Sequence, residues 1–156
     1  MLPLSDFKKI IKLTPLISID LIVRNPDGKI LLGKRLNKPA QGFWFVPGGR
    51  VLKGETLEVA FERLIKEELN SNLISSKFKG VYQHFYDDNV TGEPFGTHYI
   101  VLAYEIILDC DLGALPTEQH LNYKWFEEKD LLLDKNVHTH SKWYFQTSKE
   151  ADCTFC

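Results

Sequence analysis

Residues 48–69 read GGRVLKGETLEVAFERLIKEEL. Two adjacent glycines open the stretch, and Thr56 to Leu69 contains neither Gly nor Pro and is rich in Leu, Glu, Ala and Lys, which predicts a helix. At about 100° per residue, Leu57, Phe61, Leu64 and Ile65 fall in one arc, and Glu68 falls in the same arc. The inward stripe therefore ends in a carboxylate, with Glu67 beside it in the last turn. A buried carboxylate is costly without a counter-charge, and a helix C-terminus carries partial negative charge that repels it. Arg63, one turn before Glu67, can pair with Glu67. A bound cation is the natural counter-charge for Glu68, and hard oxygen ligands favour Mg2+, Mn2+ or Ca2+. A solvated Glu-Glu at a frayed helix end is the other reading. The glycines bear on the choice, because Gly48-Gly49 lets the backbone pack closely and turn a carbonyl toward an ion. Glu55 precedes the helix start, where an acid suits the macrodipole.

Working outward, Leu16 to Val23 is an apolar strand. Asn25-Pro26-Asp27-Gly28 is a turn, and Lys29 to Lys34 is the returning strand of a predicted hairpin. Gln41 to Val46 reads as a strand stopped by Pro47. Gly80 to Tyr86 and Thr97 to Ile107 read as strands around a polar loop, Asp87 to Gly96. Tyr123 to Phe126 is a short strand. Phe7 to Lys12 reads as a short helix ending before Pro15, and Lys142 to Lys149 as a final helix. Strands and helices mix without regular βαβ alternation. The predicted class is therefore α/β (α+β): a mixed β-sheet sandwiched between helices, an α/β/α sandwich.

The chain has 156 residues, 44% of them apolar, and a net charge of −2. That length suits one domain spanning 1–156. The charge balance invites neither nucleic acid nor an anionic membrane, and no apolar run approaches the roughly 20 residues of a membrane helix. The start, Met1-Leu2-Pro3-Leu4-Ser5-Asp6, lacks the halves of a signal peptide, so a cytoplasmic location is expected. Three cysteines, Cys110, Cys153 and Cys156, argue against a disulfide framework. Cys153-x-x-Cys156 has no second pair with which to build a zinc site, and 150–156 reads as a flexible tail. His138 and His140 read as a solvated pair. Trp44, Trp125 and Trp143 read as core aromatics.

The central stretch resembles the Nudix hydrolases, whose signature is G-x5-E-x7-R-E-U-x-E-E-x-G-U with U a bulky aliphatic. Gly49, Glu55, Arg63, Ile65, Glu67 and Glu68 fit it in register. Three positions depart: Leu64 replaces the glutamate after the arginine, Asn70 the later glycine and Ser71 the final aliphatic. Along most of the chain the sequence is similar to the GDP-mannose mannosyl hydrolase subfamily, which also lacks the glutamate at the Leu64 position. Thr14-Pro15-Leu16, Gly33-Lys34-Arg35, Pro39 to Arg50, Gln83 to Asp88, Thr97-His98-Tyr99 and Glu118-Gln119-His120 carry that similarity.

The resemblance implies Mg2+-dependent hydrolysis of GDP-mannose, or of GDP-glucose, to GDP and free sugar, by water attack at the anomeric carbon with inversion. It implies one Mg2+, replaceable by Mn2+, held by the Gly48 carbonyl, Glu68 and Gln119. Glu67 is then a ligand or an Arg63 partner. His120 is implied as general base, and Arg35 and Arg50 as diphosphate ligands. Asp20 would meet a sugar hydroxyl or an arginine, or face water at a strand edge. His84 and Tyr99 would contact sugar or phosphate, or serve the core. Leu2, Pro3 and Phe7 match a guanosine-holding segment, so 1–14 is an expected substrate or dimer arm, with a homodimer and a GDP-hexose as partners. An ordinary Nudix pyrophosphohydrolase and a non-catalytic nucleotide-sugar module are the alternatives.

Overall fold

The run Leu16–Val23 forms β1 and occupies the middle of a sheet, as its apolar character demands. A computed structural model describes residues 2–108, 115 and 120–153, apart from the side chains of residues 73, 74, 108, 120 and 121. In chain order the elements are α1 (Leu4–Leu13), β1, β2 (Ile30–Arg35), β3 (Trp44–Phe45), β4 (Gly48–Arg50), α2 (Leu57–Leu69), β5 (Leu73–Tyr86), β6 (Thr97–Leu108), β7 (His120–Phe126), α3 (Glu128–Leu133) and α4 (Thr139–Lys142). One sheet has the order β4-β1-β6-β5 and is mixed: β1 runs parallel to β6 and antiparallel to β4. A second, antiparallel sheet has the order β3-β2-β7.

The expected hairpin opens instead. Its turn forms, with Gly28 N–H donating to the Asn25 carbonyl at 2.9 Å and Gly28 at φ +80°. The two strands then part after one bridge, Arg24 to Ile30. Both edges of β1 are taken by β4 and β6, and both edges of β2 by β3 and β7, so the turn joins two sheets. Gln41 to Val46 is likewise shorter than expected. Gly42 at φ +85° and Ala40 at φ +55° turn the chain, leaving Trp44–Phe45 as the paired residues. The helix expected over Lys142 to Lys149 does not form: α4 ends at Lys142 and turns follow it, and α3 has no counterpart in the sequence reading.

Helices cover both faces. Ile19, Leu21 and Val23 of β1 pack with Leu31, Ile106 and the α2 residues Ala60, Phe61, Leu64, Ile65 and Leu69. Ile22, on the opposite face, packs with Ile30, Val101, Ala103, Leu131 of α3 and the C-terminal Tyr144 and Phe145. Each such Leu or Ile contributes on the order of 1.5–3 kcal/mol by leaving water. Among the described residues no helix is long and apolar enough to cross a membrane.

The segment expected as a flexible tail is tied down through Cys153. Val81 N–H donates to the Cys153 carbonyl at 2.7 Å, Asp152 N–H to the Val81 carbonyl at 2.8 Å, and Gln83 N–H to the Asp152 carboxylate at 2.8 Å. Cys153 is disulfide-bonded, its partner lying outside the described residues.

Candidate active site

The α2 segment supplies the first half of the site. Thr56 caps the helix, its hydroxyl accepting from Val59 N–H at 3.2 Å, and Asn70 ends it in the left-handed region at φ +47°. Arg63 grips Glu55 with two bonds, 2.6 and 2.9 Å, donates to Glu67 at 2.8 Å and reaches the Arg50 carbonyl at 2.9 Å. Glu55 in turn accepts from Leu52 N–H at 2.8 Å. The Arg63 hydrogen bonds hold the Glu55 carboxyl down at about 2. One guanidinium thus clamps the glycine loop to the helix. The sequence reading paired Arg63 with Glu67 alone, because Glu55 lies before the helix cap and outside helical spacing.

Leu64 and Glu68 point inward. Leu64 is buried against the loop: a Cβ on Gly49 would come within 2.5 Å of Leu64 Cδ2. Gly49→Ala is accordingly expected to cost about 1–3 kcal/mol by overpacking, read as a fall in melting temperature. The penalty should shrink in a Leu64→Val background, and an equal penalty there would refute the contact.

Glu68 is 2% exposed, as the stripe predicted. Tyr123 lies over it, its hydroxyl donating to the Glu68 carbonyl at 3.4 Å; burial and the Glu68 charge push the Tyr123 hydroxyl up to about 12. Gly48 supplies a second hard oxygen. Leu21 N–H bonds the Pro47 carbonyl at 2.8 Å and Val51 N–H the Ile17 carbonyl at 2.9 Å. In an antiparallel ladder the pair between them, Asp20 and Gly48, makes no ladder bond, so the Gly48 carbonyl points away from β1. A Cβ on Gly48 would collide with the Ile19 carbonyl and lie 2.9 Å from Asp20 Oδ1. A buried carboxylate and a carbonyl turned away from its neighbouring strand are donors suited to Mg2+ or Mn2+. Among the described residues no group of three or more His, Cys, Asp or Glu is arranged to hold a metal. Gln119, the third expected ligand, lies outside the described residues.

Strand register assembles the second half. Paired residues point to the same side of a sheet. Asp20 pairs with Gly48 and Ala103, Ser18 with Arg50, and Tyr99 with Leu16 and His84. Asp20, Arg50, Tyr99 and His84 therefore share the face opposite α2. Arg35 comes from the second sheet, its guanidinium 4.5 Å above the Phe45 ring and donating to the Pro39 carbonyl at 3.0 Å. The Arg35 charge reaches Asp20, Tyr86 and Tyr99, and that of Arg50 reaches Tyr99. Asp20 is accordingly no water-facing edge group: burial raises its carboxyl to about 6 against the pull of Tyr144 and Arg35. Phe7 of α1 lies 4.0 Å from the Arg50 guanidinium, whereas Leu2 and Pro3 are exposed. His120 begins β7 opposite Arg35, and its side chain lies outside the described residues.

His138 and His140 correct the sequence reading. His140 is 5% exposed, its ring stacked on His84 at 4.2 Å and edge-on to His138 at 4.6 Å. His138 stacks on Phe45 at 4.6 Å, and its Nδ1 accepts from His140 N–H at 3.2 Å. The pair is drawn in because Trp44 N–H bonds the Asn136 carbonyl and His138 N–H the Trp44 carbonyl, at 2.9 and 3.0 Å. Tyr86 and Tyr144, also missed, complete the cluster. Of the tryptophans, Trp44 and Trp143 line this core and Trp125 the α2 core.

Residues 14–147 match the NUDIX domain family model. The chain belongs to the Nudix hydrolase family. It is 40% identical over 126 residues to the low-salt glycan biosynthesis protein Agl8 of Haloferax volcanii, covering 81% of this chain and 80% of that one. An ADP-ribose pyrophosphatase of Methanocaldococcus jannaschii is 44% identical over 78 residues, covering 49% of this chain and 46% of that enzyme. The MutT NUDIX hydrolase of Burkholderia pseudomallei superimposes with a TM-score of 0.68 at 27% identity, covering 85% of this chain and 96% of that one. Nudix enzymes generally act on nucleotide-derived substrates with a divalent cation.

Proposed function

We propose that this Nudix chain hydrolyses a GDP-hexose, GDP-mannose foremost and GDP-glucose next, to GDP and the free sugar. The observation that carries the reading is Leu64. The box position that ordinarily supplies a carboxylate for attack on phosphorus is a buried leucine packed on Gly49, while Glu68 keeps its inward place. The diphosphate is then the leaving group and carbon the centre attacked. A water oxygen bonds to the anomeric carbon from the face opposite the diphosphate. The carbon–oxygen bond to the β-phosphate breaks, its electron pair leaves with GDP, and His120 takes the water proton. The transition state resembles an oxocarbenium ion, with negative charge growing on the β-phosphate.

Arg35 and Arg50 bind that phosphate, and Asp20, His84 and Tyr99, on the Arg50 face, bind the sugar. Mg2+ or Mn2+, one per site, held by the Gly48 carbonyl, Glu68 and Gln119, would supply charge neutralisation to the leaving diphosphate. Glu67, bonded to Arg63, stays outside the ligand set. Leu2, Pro3 and Phe7 hold guanosine, the last already stacked on Arg50, in a cytoplasmic homodimer. Similarity to a glycan biosynthesis protein agrees with a nucleotide-sugar substrate.

Similarity to an ADP-ribose pyrophosphatase favours a second reading, cleavage between the two phosphates. Product analysis across nucleotide sugars separates them. GDP plus hexose is expected; GMP plus hexose 1-phosphate would establish the second reading, and tight binding without turnover a non-catalytic module.

A further inference from the structure

Tyr144 lies in the C-terminal turns, far from the box in sequence, and is 4% exposed. Its hydroxyl donates to Asp20 Oδ2 at 2.5 Å and lies 3.3 Å from His84 Nε2. The ring is held independently, edge-on to Tyr82 at 4.9 Å. A phenol has one proton. With that proton on the Asp20 carboxylate, the phenol oxygen can only accept from His84, so Nε2 must carry the imidazole hydrogen. His84 Nδ1 is then the acceptor nitrogen. Stacking on His140 and burial to 3% exposure disfavour a second proton on the ring.

We infer that Tyr144 is a positioning residue that locks His84 as the Nε2–H tautomer and aims two acceptors, Asp20 and His84 Nδ1, at the hydroxyls of a bound sugar. The inference rests on the nucleotide-sugar reading for its ligand, but the chain Asp20–Tyr144–His84 is a property of the protein alone. Carboxylate and imine acceptors suit a polyol, whose hydroxyls donate, while the nearby Arg35 and Arg50 suit the anionic diphosphate. Discrimination among hexoses is therefore assigned in part to a tyrosine that need not touch the sugar.

The test begins on the ligand-free protein. Nitrogen-15 histidine spectra near neutral pH, with His84 assigned by its loss in His84→Gln, are expected to show His84 as a single Nε2–H tautomer. Tyr144→Phe should abolish that purity, weaken discrimination among GDP-hexoses by about 10–100-fold, and leave GDP affinity within about two-fold. A wild-type His84 in the Nδ1–H form or as a tautomer mixture overturns the inference whether or not the variant folds. An unchanged tautomer or unchanged discrimination in Tyr144→Phe also overturns it. If no nucleotide sugar is turned over, the functional reading fails while the tautomer still decides the role of Tyr144.

Discussion

From about pH 7 to about pH 5 the fold is expected to lose on the order of 3 kcal/mol of stability. Burial, reinforced by neighbouring charges, holds His84 down at about 2, His140 at about 3 and His138 at about 4. In the unfolded chain each ring titrates near 6.5. Below that value the unfolded state binds protons that the folded state refuses, so stability is complete above about 6.5 and drains as pH falls toward the folded values. Each buried ring loses about 2 kcal/mol over the interval, and the partly exposed His138 loses less. Asp20 works the other way. Its folded value of about 6 lies above the ordinary 3.8, so it takes up a proton while folded and returns about 1 kcal/mol. Glu55, held down near 2, contributes only below this window. Denaturant melts at stepped pH measure the slope, and His140→Phe should flatten it by close to one proton. A stability independent of pH across the interval would mean that the three rings are not kept neutral together.

Glu68→Gln is expected to cut turnover by about 10²–10³-fold and to abolish its dependence on added Mg2+. Glutamine keeps the volume of this 2% exposed side chain in the last turn of α2, so the variant changes the charge and leaves the shape of the site alone. Loss of the Mg2+ dependence, which a packing role alone would not produce, separates a ligand from a packing residue. Wild-type Mg2+ activation in this variant would remove Glu68 from the ligand set.

The half of the candidate site built on α2 was legible in the sequence, as regards its geometry, because its signals are local. The 3.6-residue stripe placed Glu68 inside, and the glycines marked the loop on which Leu64 packs. β1 was legible from its apolar run, and once its register is known the convergence of Asp20, Arg50, Tyr99 and His84 follows from strand alternation. The division into two sheets was not legible. The turn at Asn25–Gly28 forms as read, and only the competition of four other strands for the edges of β1 and β2 pulls the hairpin open. His138, His140 and Tyr144 were missed for a related reason. Long-range backbone bonds to Trp44 and a side-chain bond to Asp20 bring them in, and neither leaves a mark in the local pattern.

We propose that a Nudix scaffold with leucine at this box position attacks carbon instead of phosphorus. Hydrolysis of GDP-mannose in oxygen-18 water, with both products analysed by mass spectrometry, distinguishes the two centres of attack. Label in the released mannose and none in the GDP is the predicted result; label in a phosphate would contradict it.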